Sequence, residues 1–285
     1  MIHVIQHAKR IAFQGEPGAY ANLAARQAVP HAEAVPRPTF EDAIEAAKSG
    51  DTDLVIIPVE NSLIGRIADI HHLLPDSGLH IVGEHFLPIR HQLLGLKDAS
   101  LDGITSVYSQ APALAQCRNL LRESKFIVHN WYDTAGSAKH VAELGDKSAA
   151  AIASTLAGEF YGLKVLKADV EDEHHNATRF LIMSRDDERA PNSGKVVTSF
   201  VFQVKNIPAA LYKALGSFAT NGVNMTKLES YQLGGSFNAT QFYADVQGHP
   251  DEPPVSRALA ELAFQAADWK LMGVYPAHPY REDMP

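Results

Sequence analysis

From Arg10 onward, short apolar runs alternate with helical patterns, and this alternation most narrows the folds open to the chain. Residues 11–13 read as a strand, 19–27 as an alanine-rich helix, 40–48 as a second helix and 54–59 as a buried strand rich in Val and Ile. Apolar strands spaced by helices argue a parallel sheet covered on both faces. Past His80 the pattern changes: residues 81–86 and 89–96 are extended runs punctuated by Pro88, as expected where a chain crosses between lobes. A second alternating set follows: strand 104–108, helix 112–122, strand 126–129, helix 134–144 with Asp133 as an N-cap type, strand 149–153 and helix 155–161. Residues 164–184 return the chain towards the first lobe, and residues 1–9 read as a frayed leader.

The segment 185–195 is charged and then breaks on Pro191 and Gly194, the pattern of a linker. Beyond it the order is strand 196–204, helix 208–221, strand 225–231, a Gly234-Gly235 hairpin turn, strand 237–246, helix 255–267 and strand 270–275. That is βαββαβ, the ferredoxin-like order. The expected domains are therefore 1–190, with lobe boundaries near 84 and 165–178, then 196–276, and a tail 277–285.

A net charge of −8 with no basic run argues against nucleic acid as a partner. No apolar stretch approaches the length of a membrane span, so no membrane partner is expected. The single cysteine, Cys117, suits a reducing cytoplasm and reads as a small buried hydrophobe. The pairs His71-His72 and His174-His175 lack the ligand spacing of a metal site, so no metal is expected. Glu171, Asp172 and Glu173 read as a solvated acidic loop, and Leu211, Leu215 and Phe218 as core at helical spacing.

Two polar segments abut strand-like runs far apart in the chain. Pro58, Val59, Glu60, Asn61 and Ser62 end the first, and Asn176, Ala177, Thr178, Arg179 and Phe180 open the second. Open α/β sheets bind ligands at strand ends, so convergence of the two would define a cleft between lobes. Each alone also reads as a plain strand end or an Asx turn.

These segments, with Phe13 through Tyr20, Gly65, and Asp133, Thr134, Ala135, Gly136 and Ser137, resemble prephenate dehydratases in order and spacing. The C-terminal stretches Pro208 through Leu215 and Asn224 through Ser230 resemble that family's ACT regulatory domain. The resemblance implies a two-lobed α/β catalytic part of the periplasmic-binding-protein type (type II) plus a ferredoxin-like ACT domain. It implies decarboxylating dehydration of prephenate to phenylpyruvate without a cofactor, L-phenylalanine as effector, and a homodimer or homotetramer. Arogenate dehydratase and a non-catalytic anion or amino-acid sensor are the alternatives. The sequence departs at Gln110, where the family often has His, and at Tyr231-Gln232 in place of Arg-Pro.

By this resemblance the catalytic set is Thr178, Arg179, Phe180, Glu60, Asn61, Ser62 and Gln116. Thr178 would donate a hydrogen bond to the departing hydroxyl, and Phe180 would keep the site dry. Arg179 would fork onto a substrate carboxylate, orient Thr178 or pair with Glu60. Asn61, Ser62 and Gln116 offer neutral donors. Substrate binding falls to Gly15, Gly18, Tyr20, Thr134, Ala135, Gly136, Ser137 and Asn176, with backbone N–H groups ahead of two helices facing an anion. The effector site would use Ala209, Ala210, Leu211, Asn221, Val223, Asn224, Met225, Glu229 and Ser230.

Overall fold

A computed structural model describes residues 2–233 and 240–282. The first lobe runs α1 (His3–His7), β1 (Arg10–Gln14), α2 (Tyr20–Ala28), β2 (Glu33–Arg37), α3 (Phe40–Ser49), β3 (Leu54–Asn61), β4 (Gly65–Arg66), α4 (Ala68–Leu73) and β5 (His80–Pro88). The second holds β6 (Gln92–Gly95), β7 (Ser106–Ser109), α5 (Ala111–Ala115), α6 (Arg118–Ser124), β8 (Ile127–Asn130), α7 (Thr134–Leu144), β9 (Ala149–Ala153), α8 (Thr155–Tyr161) and β10 (Lys164–Lys167). β11 (Ala177–Ser184) then re-enters the first lobe between β5 and β3. The C-terminal unit is β12 (Val196–Val204), α9 (Ala210–Thr220), β13 (Met225–Gln232), β14 (Thr240–Gln247), α10 (Pro253–Gln265) and β15 (Ala266–Pro276).

The first-lobe sheet is mixed rather than wholly parallel: β1 pairs in parallel with β2 and β3, while β11 runs antiparallel to both β3 and β5. The second lobe has its own sheet, ordered β10-β6-β9-β7-β8, with apolar clusters on both faces. The C-terminal strands are ordered β13-β14-β12-β15, the antiparallel arrangement that βαββαβ connectivity produces. Two helices, α9 and α10, pack on one face, where Phe218 of α9 and Leu262 of α10 join Phe200 and Phe202 of β12 in one apolar cluster.

The charged linker does not separate two sheets. β15 meets β5 at Gly273 and Ile81, so the C-terminal strands continue the first-lobe sheet into one of ten strands. A Cβ at Gly273 would lie 2.1 Å from the Ile81 carbonyl oxygen, so the close approach requires glycine. Described residues after β15 are also not a free tail: Tyr280 stacks on Phe86 and Arg281 bonds Glu84 on β5.

Other local expectations change for identifiable reasons. Residues 3–7 form α1, not a frayed leader, because Glu188 accepts the orphan N–H groups of His3 and Val4. Edge strand β2 was hidden by Pro36 and Pro38, since an edge tolerates missing donors. The helix expected at 112–122 is two helices, because Asp172 accepts from the N–H groups of Arg118 and Asn119 and starts α6 afresh. Asp172 and the buried Glu171 are thus structural, not a solvated loop. The Gly234-Gly235 turn lies outside the described residues.

Candidate active site

A cleft of about 420 Å³ opens where β3 and β11 end against the second lobe. Gly15, Tyr20, Asn61, Gln116, Thr134, Thr178 and Phe180 line it, so both distant motifs reach one cavity. A register shift makes this possible. Thr178 faces Asn61 and Arg179 faces Glu60, but Phe180 faces Pro58, which leaves Val59 as an extra residue on β3. Simple alternation would put Pro58 and Asn61 on opposite faces; the bulge turns both towards the cleft.

The cleft's polar groups form one chain whose polarity is fixed from its end. Asn61 Oδ1 accepts from the N–H groups of Leu63 and Ile64 at 3.0 and 3.1 Å. Its Nδ2 therefore donates to Asn176 Oδ1 at 2.7 Å and to Thr178 Oγ1 at 3.0 Å. Asn176 Nδ2 then donates to Gln116 Oε1 at 3.0 Å. His91 Nε2 stands 2.8 Å from that same oxygen, so it must carry a proton. Two consequences face the cavity. The single Thr178 hydroxyl proton meets no acceptor among the described residues, and neither do the Gln116 Nε2 hydrogens.

His91 is held neutral: burial lowers its pKa, against the smaller raising effects of Gln116 and Glu171. Its Nδ1 then accepts from the Tyr20 hydroxyl, 2.7 Å away and also 3.0 Å from the Arg90 carbonyl. Burial pushes the Tyr20 phenol well above its usual range, so it stays a donor. Neither motif contained His91. Its only sequence signal was a histidine within the extended run 89–96, which any strand can show. Gln110, Asp133 and Arg66 also line the cleft.

The remaining expected residues lie elsewhere. Arg179, 2 % exposed, points to the opposite face of β11 and away from any substrate in the cleft. Its guanidinium meets Asp245 at 2.7 Å, Glu84 at 2.8 Å, the Tyr275 hydroxyl at 2.9 Å and Glu60 at 3.0 Å. The fork onto a substrate carboxylate is therefore excluded, and the pairing with Glu60 is the alternative that holds. Burial opposes ionisation of Asp245, but Arg179 and Arg281 outweigh it and keep the carboxyl below its usual range. Burial likewise opposes ionisation of Glu60, and Arg179 and Lys227 overcome it. Glu60 thus belongs to this ionic network, which fastens β11 to the C-terminal unit.

Ser62 fastens strand ends, donating to the His175 carbonyl and accepting from the Ala177 N–H. Gly18 packs against α8, where an added Cβ would lie 2.6 Å from Ala157 Cα. Of the α7 positions only Thr134 reaches the cleft; Ala135 is fully buried, the Gly136 N–H donates to the Asp133 cap and Ser137 bonds the Asp133 carbonyl. Asn176 links Asn61 to Gln116 from behind the wall. Cys117 is buried, with its thiol pushed up by burial. Among the described residues no group of His, Cys, Asp and Glu could hold a metal ion, and no helix is long and apolar enough to cross a membrane.

Of the expected effector residues, Val223 and Met225 line a groove of about 400 Å³ between α9 and β13, beside Leu215 and Phe218. Asn221, Asn224 and Glu229 bond instead to Glu261, Gln247 and Lys227. Ala209, at φ +63°, and Ala210 and Leu211 form the start of α9, while Ser230 borders a separate hollow with Arg66.

The family model described as prephenate dehydratase matches residues 11–188. A bifunctional N-acyl-homoserine lactone acylase/prephenate dehydratase of Komagataeibacter europaeus is 49% identical, over 95% of this chain and 97% of its own. Arogenate dehydratase/prephenate dehydratase 2, chloroplastic, of Arabidopsis thaliana is 37% identical over 94% of this chain and 72% of its own. The crystal structure of prephenate dehydratase in complex with L-Phe from Arthrobacter aurescens superposes with a TM-score of 0.87 at 28% identity, covering 97% of this chain and 92% of that one.

Proposed function

The chain belongs to the prephenate dehydratase family, and from that premise we propose that it converts prephenate to phenylpyruvate, carbon dioxide and water. One observation carries the reading: Asn61 occupies the Thr178 oxygen as an acceptor, so the Thr178 proton is left to donate into the cleft. Placed on the ring hydroxyl, that donor stabilises negative charge as the C–O bond breaks. The C–CO₂ bonding pair enters the ring, which becomes aromatic, and the departing hydroxide takes up one proton to leave as water. Gln116 Nε2 and the α7 N-terminus at Thr134 suit carboxylate oxygens. Phe180, Pro58 and Ile89 supply the apolar wall that favours release of neutral carbon dioxide.

Arogenate, which carries an amine in place of the keto group, is the second reading; Asp133 on the cleft wall could pair with an ammonium. The acylase activity named for the K. europaeus relative finds less support. No hydroxyl or thiol lining the described cleft stands beside a free imidazole nitrogen, because both His91 nitrogens are engaged. We place the reaction in the cytoplasm and in a homo-oligomer. The C-terminal unit is read as an ACT domain, and the two lobes as a periplasmic-binding-protein-type pair. L-Phenylalanine is read as effector, supported by the apolar groove beside β13.

Spectroscopic detection of phenylpyruvate from prephenate, run beside arogenate and an N-acyl-homoserine lactone, tests the substrate. Turnover of the lactone alone would overturn the reading. Calorimetry with L-phenylalanine tests the effector; a coupling of about 1–3 kcal/mol to substrate affinity is expected, and no binding would remove it.

A further inference from the structure

We propose that Arg66 is the cation that binds a carboxylate of the substrate, presented to the cleft mouth by strand β13 of the C-terminal unit; this rests on the dehydratase reading above. The substrate of that reaction is a dianion, yet the polar chain through Asn61, Asn176, Gln116 and Thr178 is uncharged throughout. Neighbouring cations are already spent. Arg179 is enclosed by carboxylates on the far face of β11, Lys227 is paired to Glu60 and Glu229, and Arg90 to Glu171. Arg66 lines the cleft, and no carboxylate among the described residues pairs with it.

Its placement follows from the same hairpin that positions Asn61. β4 pairs with β3 so that Arg66 lies opposite Glu60, and Gly65 opposite Asn61. Arg66 Nη1 donates to the Ser230 carbonyl on β13, while Lys227 of the same strand holds Glu60. A main-chain carbonyl fixes the guanidinium without neutralising it. The remaining N–H groups form the planar fork that suits a carboxylate. The side chain is exposed at the mouth, where its charge also draws an anion inward.

Steady-state kinetics on the full chain test this. R66Q should raise KM on the order of 10- to 100-fold and leave kcat within about threefold, the signature of binding shared by ground and transition states. R66K should recover part of the loss, because it keeps the charge but not the fork. Wild-type KM should rise with added salt and R66Q should respond less, a readout that a structural role would not give. Phenylpyruvate inhibition reports which carboxylate is held: its Ki rises in R66Q for the side-chain carboxylate and stays constant for the ring carboxylate. An unchanged KM in R66Q, or a fall in kcat alone, overturns the assignment. If R66Q fails to fold, a salt-independent wild-type KM overturns it instead. Wild-type protein that turns over neither prephenate nor arogenate would sink the dehydratase reading rather than the role of Arg66.

Discussion

The two faces of β11 bury polar groups in opposite ways. Towards the cleft, Thr178 joins Asn61, Asn176 and Gln116 in a chain of neutral donors and acceptors. One residue on, Arg179 turns to the other face and joins Glu60, Glu84, Asp245 and Arg281, all charged. The difference is instructive because desolvation acts differently on each. A neutral amide chain can be half open and still be satisfied, leaving protons for a ligand. A buried ionic cluster must be completed by the protein itself, since any unpaired member is costly. The first arrangement suits chemistry and the second suits joining two units of structure.

The comparison is broken most severely by Arg179→Met. Removing the hub leaves Arg281 as the one cation that pairs with Asp245 and Glu84 among the described residues, and a loss of about 3–5 kcal/mol in unfolding free energy is expected by urea titration. Turnover of the folded fraction should change far less than stability. A variant as stable as wild type but inactive would return Arg179 to the cleft chemistry.

Thr178→Val makes the opposite cut. It keeps the shape and removes the hydroxyl, so kcat should fall about 10²–10³-fold with the melting temperature little changed. Wild-type turnover in this variant would remove Thr178 from the mechanism.

A smaller effect concerns pH. His91 is the titrating imidazole of the neutral face, and burial lowers its pKa. kcat should therefore be level from about pH 7 to pH 9 and fall only below the ordinary histidine range, where protonation of Nδ1 breaks the bond from Tyr20. A midpoint at or above the ordinary histidine pKa would contradict the neutral assignment.

The smallest effect tests stability rather than rate. His85 has its pKa lowered to about 4 by burial and by His278. The unfolded chain binds its proton first as pH falls, so the stability from neutral His85 is complete above about pH 6.5 and lost down to about pH 4. His85→Gln should flatten the stability loss across that window and leave the pH slope above pH 7 as it is; an unaltered slope within the window would exclude His85 as its source.

Much of this organisation was legible in the amino-acid pattern, and the failures have physical causes. The strand at 149–153 and the helices at 134–144 and 155–161 were readable because burial on all sides or a good cap marks them locally. Thr178 and Asn61 could be picked out because short polar residues at the ends of apolar strands are locally conspicuous, whereas Gln116, at the end of α5, was marked only by the family resemblance. Arg179 could not be placed, because its partners Asp245 and Tyr275 lie in another unit of the fold. His91 carried no local mark, since only the neighbouring Gln116 and Tyr20 define its role.

The sequence by itself determined most of the strands and helices, though not α1, β2 or the break between α5 and α6, as well as the βαββαβ order of the C-terminal unit and the residue types able to act on an anion. Those depend on periodicity, caps and side-chain chemistry, which are properties of neighbours along the chain. Only the tertiary structure decided which face each motif residue occupies, through the extra residue at Val59, and that two sheets join at Gly273. Both turn on register between distant strands, where a slip of one residue exchanges the faces and no local energy term records it.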